Sequence, residues 1–116
     1  MEKEIIEKIK KEMNKIKELS CYDMPFFKLD THVNQILKYL EELIDSANNE
    51  KIKEQYFSIY NRLDYANNRY VMFAKEAHMK ANKKNALEIR TVEFCNSFKT
   101  AIRQIDIELS YFTNLA

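Results

Sequence analysis

The 116-residue chain contains no glycine, no tryptophan and a single proline, Pro25. Glycine supplies the positive φ angles of tight hairpin turns and the bare backbone of phosphate-binding loops. Its absence excludes the glycine-rich loops of dinucleotide-binding, P-loop and kinase proteins and argues against a fold built from β-hairpins. The 46% of hydrophobic residues is nevertheless enough to bury a core. We expect one all-α domain that spans residues 1–116.

Cysteine is also scarce, because Cys21 and Cys95 are the only two. Two isolated cysteines do not make a disulfide framework or a zinc motif. We therefore predict two free thiols in a reducing cytosol, with Cys95 buried and inert on a helix. The N-terminal residues lack the apolar core of a signal peptide, and no apolar run approaches membrane-spanning length. The sequence predicts a cytoplasmic protein without a membrane partner.

Apolar residues recur with helical spacing in four segments. They predict helices over residues 2–19, 30–47, 50–81 and 86–113. Asp30 or Thr31 is a suitable N-cap for the second helix, because both side chains can accept orphan backbone hydrogens. A polar turn at residues 82–85 separates the third helix from the fourth, although the helix could also run straight through it.

The third segment has the most regular pattern. Its apolar positions alternate steps of four and three without a slip: Ile52, Tyr56, Ile59, Leu63, Ala66, Tyr70, Phe73 and Ala77. Such spacing keeps one face of a helix against its neighbours. The architecture predicted is an antiparallel up-and-down bundle of four helices, with the last two long and hairpin-like. An alternative has helices one and two stacked end to end around Pro25, which makes three layers.

No residue pattern in the sequence is typical of an active site or a metal site. The Glu-x-x-His motif of di-iron bundles is absent around His32 and His78. Glu41 and Glu42 are adjacent, so on a helix their side chains point about 100° apart and do not form a carboxylate pair. We predict no catalytic residue, no metal and no cofactor, and a protein that is not an enzyme.

Aromatic residues carry the leading functional hypothesis. Seven phenylalanines and seven tyrosines exceed what four helical stripes need. Aromatic side chains are common anchors at protein interfaces, and the candidates are Tyr22, Phe26, Phe27 and Tyr65. We predict a module that binds another protein as an inhibitor, an immunity or anti-defence factor, or an adaptor. For the first three residues, a loop that caps the bundle is the alternative.

A basic region supports a second hypothesis. Residues 69–90 contain two acidic residues, Glu76 and Glu88, and six basic ones: Arg69, Lys75, Lys80, Lys83, Lys84 and Arg90. This excess could attract an acidic partner or the phosphates of RNA or single-stranded DNA, as in a small subunit of a larger complex. The solvated end of a helical hairpin would have the same composition. A third hypothesis is a self-assembling homodimer that pairs through helix three or four.

Overall fold

The computed structural model describes the backbone of residues 2–23, 26–72 and 84–115, and the side chains of these ranges except residues 23, 84–91 and 112–115. The elements are α1 (Glu2–Glu18), a 3-10 turn (Cys21–Asp23), α2 (Phe26–Ser46), α3 (Glu50–Ala66), a π-helix (Asn67–Met72) and α4 (Lys84–Leu115). These ranges contain no strand, and the all-α prediction is confirmed. No helix within them is long and apolar enough to cross a membrane.

The helices pack side by side as an up-and-down bundle, as predicted. Glu12 Oε2 in the middle of α1 lies 2.7 Å from His32 Nδ1 in α2. Two helices stacked end to end could not make this contact, so the three-layer alternative is not the observed arrangement. Tyr60 in α3 donates a hydrogen bond of 3.1 Å to Glu41 in α2, which aligns the next pair of helices.

Each helix buries one stripe of apolar side chains in a shared core. In α1 the fully buried positions follow steps of three and four: Ile6, Ile9, Met13 and Ile16. The residues between them are mainly lysine and glutamate, which remain at the surface. This division of apolar and charged residues makes the helix stable only when its stripe packs against neighbours.

The start of α2 differs from the prediction, because the helix begins at Phe26 and not at Asp30 or Thr31. Phe26 and Leu29 are both buried, so the core stripe of α2 extends one turn further towards the N-terminus than expected. Thr31 lies inside the helix, where its hydroxyl donates to the carbonyl oxygen of Phe27 at 2.9 Å. Proline precedes Phe26 in the sequence, and the first turn of a helix tolerates proline well.

The third helix also departs from the prediction, since α3 ends at Ala66 and continues as a π-helix. Of the regularly spaced apolar residues predicted for this helix, four are buried, namely Tyr56, Ile59, Leu63 and Ala66, but the next buried residues are Asn67 and Val71. The prediction that this regular spacing of buried residues continues through the helix is therefore wrong after Ala66. A π-helix bonds residue i to i+5 and so takes more residues for each turn than an α-helix does.

The boundary between the last two helices is only partly within the described structure. The predicted turn at residues 82–85 is wrong for Lys84 and Asn85, which already belong to α4. The rest of that turn and residues 73–81 of the predicted third helix lie outside the described residues. In α4 the residues that face the core are Cys95, which was predicted to be buried, and four further apolar residues: Phe98, Ile102, Ile105 and Leu109.

The prediction of two free thiols is wrong, because Cys21 and Cys95 form a disulfide. Cys21 follows the end of α1, and Cys95 faces the core from α4, so the fold brings together two residues separated by 74 positions. Both are buried. Disulfides are typical of oxidising compartments and rare in the cytosol. The free-thiol argument for a cytoplasmic location therefore no longer holds.

A lysine reinforces this link between the end of α1 and α4. Lys99 Nζ donates to the carbonyl oxygen of Lys17 at 3.1 Å and to that of Leu19. The last carbonyls of a helix have no partner within the helix, so these bonds cap α1. Burial lowers the pKa of Lys99, and the nearby charge of Arg103 lowers it further. The disulfide and this cap together fix the start of the α1–α2 connection on α4.

Candidate functional site

An open groove lies between the π-helix and α4. It has a volume of about 480 Å³ and is lined by Tyr65, Asn68, Arg69, Tyr70 and Phe94. Three of these five side chains are aromatic and one is cationic. We call this feature the π-helix groove.

The π-helix itself produces the groove. In an uninterrupted α-helix, Tyr70 would follow Leu63 and Ala66 into the core, as its spacing predicts. The additional residue of the π-turn places Val71 in the core instead. Tyr70 then turns towards α4, where its ring centroid lies 6.2 Å from that of Phe94 with the two planes tilted by 41°. This pair forms one wall of the groove.

The same turn buries a polar side chain. Asn67 is 5% exposed, and its Oδ1 atom has no hydrogen-bond partner within the described part of the chain. A buried and unsatisfied acceptor destabilises a protein by about 1–3 kcal/mol. π-turns inside α-helices occur frequently at functional sites. The two features occur together in the segment that builds the groove.

Arg69 lies at the rim of the groove, beside Tyr65. Its Nη1 atom donates to the Tyr65 hydroxyl at 3.3 Å, and its Cζ atom is 6.0 Å from the centre of the ring. Interaction with the hydroxyls of Tyr65 and Tyr70 raises the pKa of Arg69. Arginine is charged at physiological pH in any case. Among the described residues, no carboxylate lies within ion-pair distance of Arg69.

A second groove between α3 and α4 has a different electrostatic character. It has a volume of about 290 Å³ and is lined by Gln55, Ser58, Ile59, Arg62, Glu108 and Tyr111. Its arginine already has a partner, because Arg62 donates to both carboxylate oxygens of Glu108 at 3.0 and 2.5 Å. This ion pair leaves little uncompensated charge for a ligand. The π-helix groove is therefore the stronger candidate.

Two of the predicted site residues meet in the π-helix groove. Tyr65, predicted as a partner contact, and Arg69, predicted as part of the basic region, are in direct contact there. Tyr22 is 83% exposed and Phe27 is 58% exposed, but neither lines the groove. Phe26 is 1% exposed, so its prediction as an exposed anchor is wrong. The burial follows from its position on the core stripe of α2.

The rest of the predicted basic region cannot be placed in the site. Lys75, Lys80 and Lys83 lie outside the described residues, and Lys84 and Arg90 are placed only as backbone positions of α4. Their role stays a prediction. The sequence pattern does not predict Asn68 or Phe94 as site residues, and its spacing predicts Tyr70 in the core. The one available signal was the Asn67-Asn68 pair, because asparagine is a poor former of helix interiors.

Metal and acid–base chemistry have little support within the described residues. No group of three histidine, cysteine or acidic side chains could hold a metal ion there. The contact between Glu12 and His32 joins α1 to α2 and lines neither groove. Burial alone would raise the pKa of Glu12, but hydrogen bonds with His32 and Lys15 outweigh it and lower the pKa. We interpret this pair as a connection between two helices.

Similarity to known proteins adds nothing to this picture. Neither a family model nor a curated protein matches the chain, and no solved structure matches it. Any assignment of function depends on the geometry of the groove itself.

Proposed function

We propose that this protein is a non-enzymatic module that binds another protein through the π-helix groove. It would act as an inhibitor, an immunity or anti-defence factor, or an adaptor, by covering a surface of its partner or by joining an assembly. The observation that carries the proposal is the meeting of three aromatic side chains and one arginine in an open groove, where the described residues provide no carboxylate for the arginine. Tyrosine and arginine are among the residues that contribute most to protein–protein binding energy.

The exposure of the groove residues supports a role outside the core. Tyr65 is 61% exposed although its neighbour Ala66 is buried in the bundle. Its contact with Arg69 holds both side chains at the surface in a defined arrangement. Side chains that are already ordered lose less conformational entropy when a partner binds. The groove is thus partly organised before binding.

The energetic cost of the π-helix supports the same proposal. An α-helical continuation would avoid the π-turn and would not bury Asn67 in its observed place. A protein that served only as a stable scaffold would gain by that change. Natural proteins often retain such unfavourable features where function needs them.

The experiment is affinity purification with the tagged protein, followed by identification of the partner and titration of the two purified proteins. Tyr65→Ala should weaken the complex about tenfold, as loss of an aromatic anchor does. Tyr111→Ala is the matched control, because Tyr111 is 67% exposed and lies outside the π-helix groove. It should leave the affinity within about twofold of wild type.

Two results would overturn the proposal. One is a purified partner that binds wild type and Tyr65→Ala with equal affinity. The other is recovery of no protein that binds again as a purified component. Circular dichroism of each variant should match wild type, so that a loss of binding is not a loss of folding.

Binding of RNA or single-stranded DNA is the second candidate function. The observation that favours it is the guanidinium of Arg69 beside the ring of Tyr65, since nucleic-acid sites combine basic groups with aromatic rings on which bases stack. Charge reversal at Lys80, Lys83 and Lys84 should then weaken binding to oligouridine and flatten its dependence on salt. Absence of binding at low salt would remove this candidate.

A further inference from the structure

We infer that the π-helix groove recognises a peptide segment in which an aromatic or aliphatic side chain stands next to a carboxylate. The inference rests on the proposed protein-binding function and adds the chemistry of the partner. Its basis is the position of Arg69 at the rim of a groove walled by Tyr65, Tyr70 and Phe94.

The apolar half of the ligand follows from the walls and the size of the groove. Tyr70 and Phe94 lie at a tilt of 41°, an arrangement in which a third ring or an aliphatic side chain can pack against them. A volume of about 480 Å³ falls within the range of roughly 300–1,000 Å³ that is usual for small-ligand pockets. The groove therefore suits a few side chains of a short segment, whereas a whole helix about 10 Å across would not enter it.

The acidic half of the ligand follows from Arg69. A guanidinium carries five N–H donors in a planar fork, more than the contacts of Arg69 with the hydroxyls of Tyr65 and Tyr70 require. A carboxylate fits such a fork with two parallel hydrogen bonds. Arg62 shows this geometry in the same protein, because Glu108 already occupies its fork. A carboxylate of a ligand would form the same two bonds with Arg69, which has no carboxylate partner among the described residues.

A peptide fits the groove better than a nucleic acid strand does. A strand presents a phosphate at every nucleotide and is held by several cations along its path. Arg69 is the single basic side chain among the described residues that line the groove. Asn68 is exposed there and offers both an amide donor and a carbonyl acceptor, which can pair with a peptide backbone.

The test uses three small probes, N-acetylphenylalanine, N-acetylphenylalanine amide and uridine 5′-monophosphate, with the full-length protein. Chemical shifts of the tyrosine and phenylalanine rings are followed by NMR as each probe is added. The acid should shift the signals of Tyr65, Tyr70 and Phe94 with a Kd of about 1 mM, which is reasonable for a ligand of this size. The amide, which lacks the negative charge, should bind about fivefold more weakly.

Variants test the contact with the carboxylate and the contact with the apolar side chain separately. Arg69→Gln should abolish the difference between acid and amide and leave the weaker binding of the ring in place. Arg62→Gln is the matched control, because this arginine lies on α3, which continues into the π-helix, but is already paired with Glu108.

Three outcomes would overturn the inference. The first is equal affinity of the acid and the amide for the wild-type protein, and the second is tighter binding of the nucleotide than of the acid. The third is no shift of the groove signals at about 10 mM acid, a concentration roughly ten times the expected Kd. If one of these results is found and the binding of a natural partner still depends on Tyr65, the proposed function stands. Only the proposed chemistry of the ligand is then removed. If the acid binds as expected and no protein partner depends on Tyr65, the proposed function fails instead.

Discussion

Breaking the disulfide should cost this protein a large part of its stability. The bond joins Cys21 and Cys95 across a sequence separation of 74 residues. In the chain-entropy model, a cross-link over a loop of this length destabilises the unfolded state by about 4.5 kcal/mol at 25 °C. Both sulfur atoms belong to buried residues, and reduction removes no apolar atom from the core. We therefore expect the free energy of unfolding to fall by about 4 kcal/mol on reduction.

The assay is urea unfolding followed by circular dichroism, with and without dithiothreitol. With an m-value of about 1.5 kcal/mol/M, the transition midpoint should move by nearly 3 M. The double variant Cys21→Ala/Cys95→Ala is the control, because it lacks the cross-link without any reductant. It should unfold close to the reduced wild-type protein, apart from the loss of two buried sulfur atoms. A thiol assay in denaturant should find no free cysteine in the oxidised protein.

Two results would refute this reasoning. Two free thiols in protein folded under oxidising conditions would mean that the bond does not form. Coincident unfolding curves for oxidised and reduced protein would mean that closing the loop contributes nothing to stability.

Three further predictions concern single side chains. Asn67→Leu should stabilise the protein by about 1 kcal/mol in urea unfolding, because it removes a buried acceptor without a partner; a destabilised variant would contradict this. Lys99→Met should cost about 1–2 kcal/mol by the same measurement, since α1 loses the donor to its last carbonyls, and an unchanged midpoint would show that the cap is unimportant. Glu12 has a lower pKa in the folded protein than its ordinary 4.5, so its contribution to stability is complete above about pH 4.5 and is lost as the pH falls through the lowered value. Glu12→Gln should therefore cost about 1 kcal/mol at pH 7 and less at a low pH where the carboxyl of Glu12 is protonated, whereas an equal cost under both conditions would exclude the charge of Glu12 as its cause.

The fold could be predicted from the sequence because the core-facing stripes are nearly free of charge. Positions such as Ile9 and Leu40 are fully buried, as their helical spacing predicts. The missing glycine removes the main competitors to helices. The start of α2 was misplaced because a good N-cap at Asp30 competed with the burial of Phe26, and burial of a large side chain contributes more free energy than a cap does.

The change in which residue faces the core at the π-helix is harder to predict from the sequence. Tyr70 and Val71 are neighbours, and either could continue the core stripe. Burying Val71 avoids placing a tyrosine hydroxyl in the core, where it would need a partner. Tyr70 instead packs its ring on Phe94. The spacing of apolar residues does not decide whether Tyr70 or Val71 is buried, because that choice depends on contacts with the neighbouring helix.

Two of the five residues that line the π-helix groove could be predicted from the sequence. Tyr65 and Arg69 are four residues apart, a spacing that places two side chains on the same face of a helix. The composition of the sequence nevertheless indicates two separate features, one aromatic and one basic. Phe94 and the pairing of Cys21 with Cys95 depend on how α4 aligns with the other helices. No pattern in a single sequence fixes that alignment.

The disulfide also affects what happens when the backbone is cut. A protease that hydrolyses one peptide bond between Cys21 and Cys95 leaves two fragments joined through their sulfur atoms. Without reductant the nicked protein would migrate as a single species, heavier than the intact chain by one water molecule. With reductant it would separate into two. Damage within the loop is therefore hidden until the molecule enters a reducing environment.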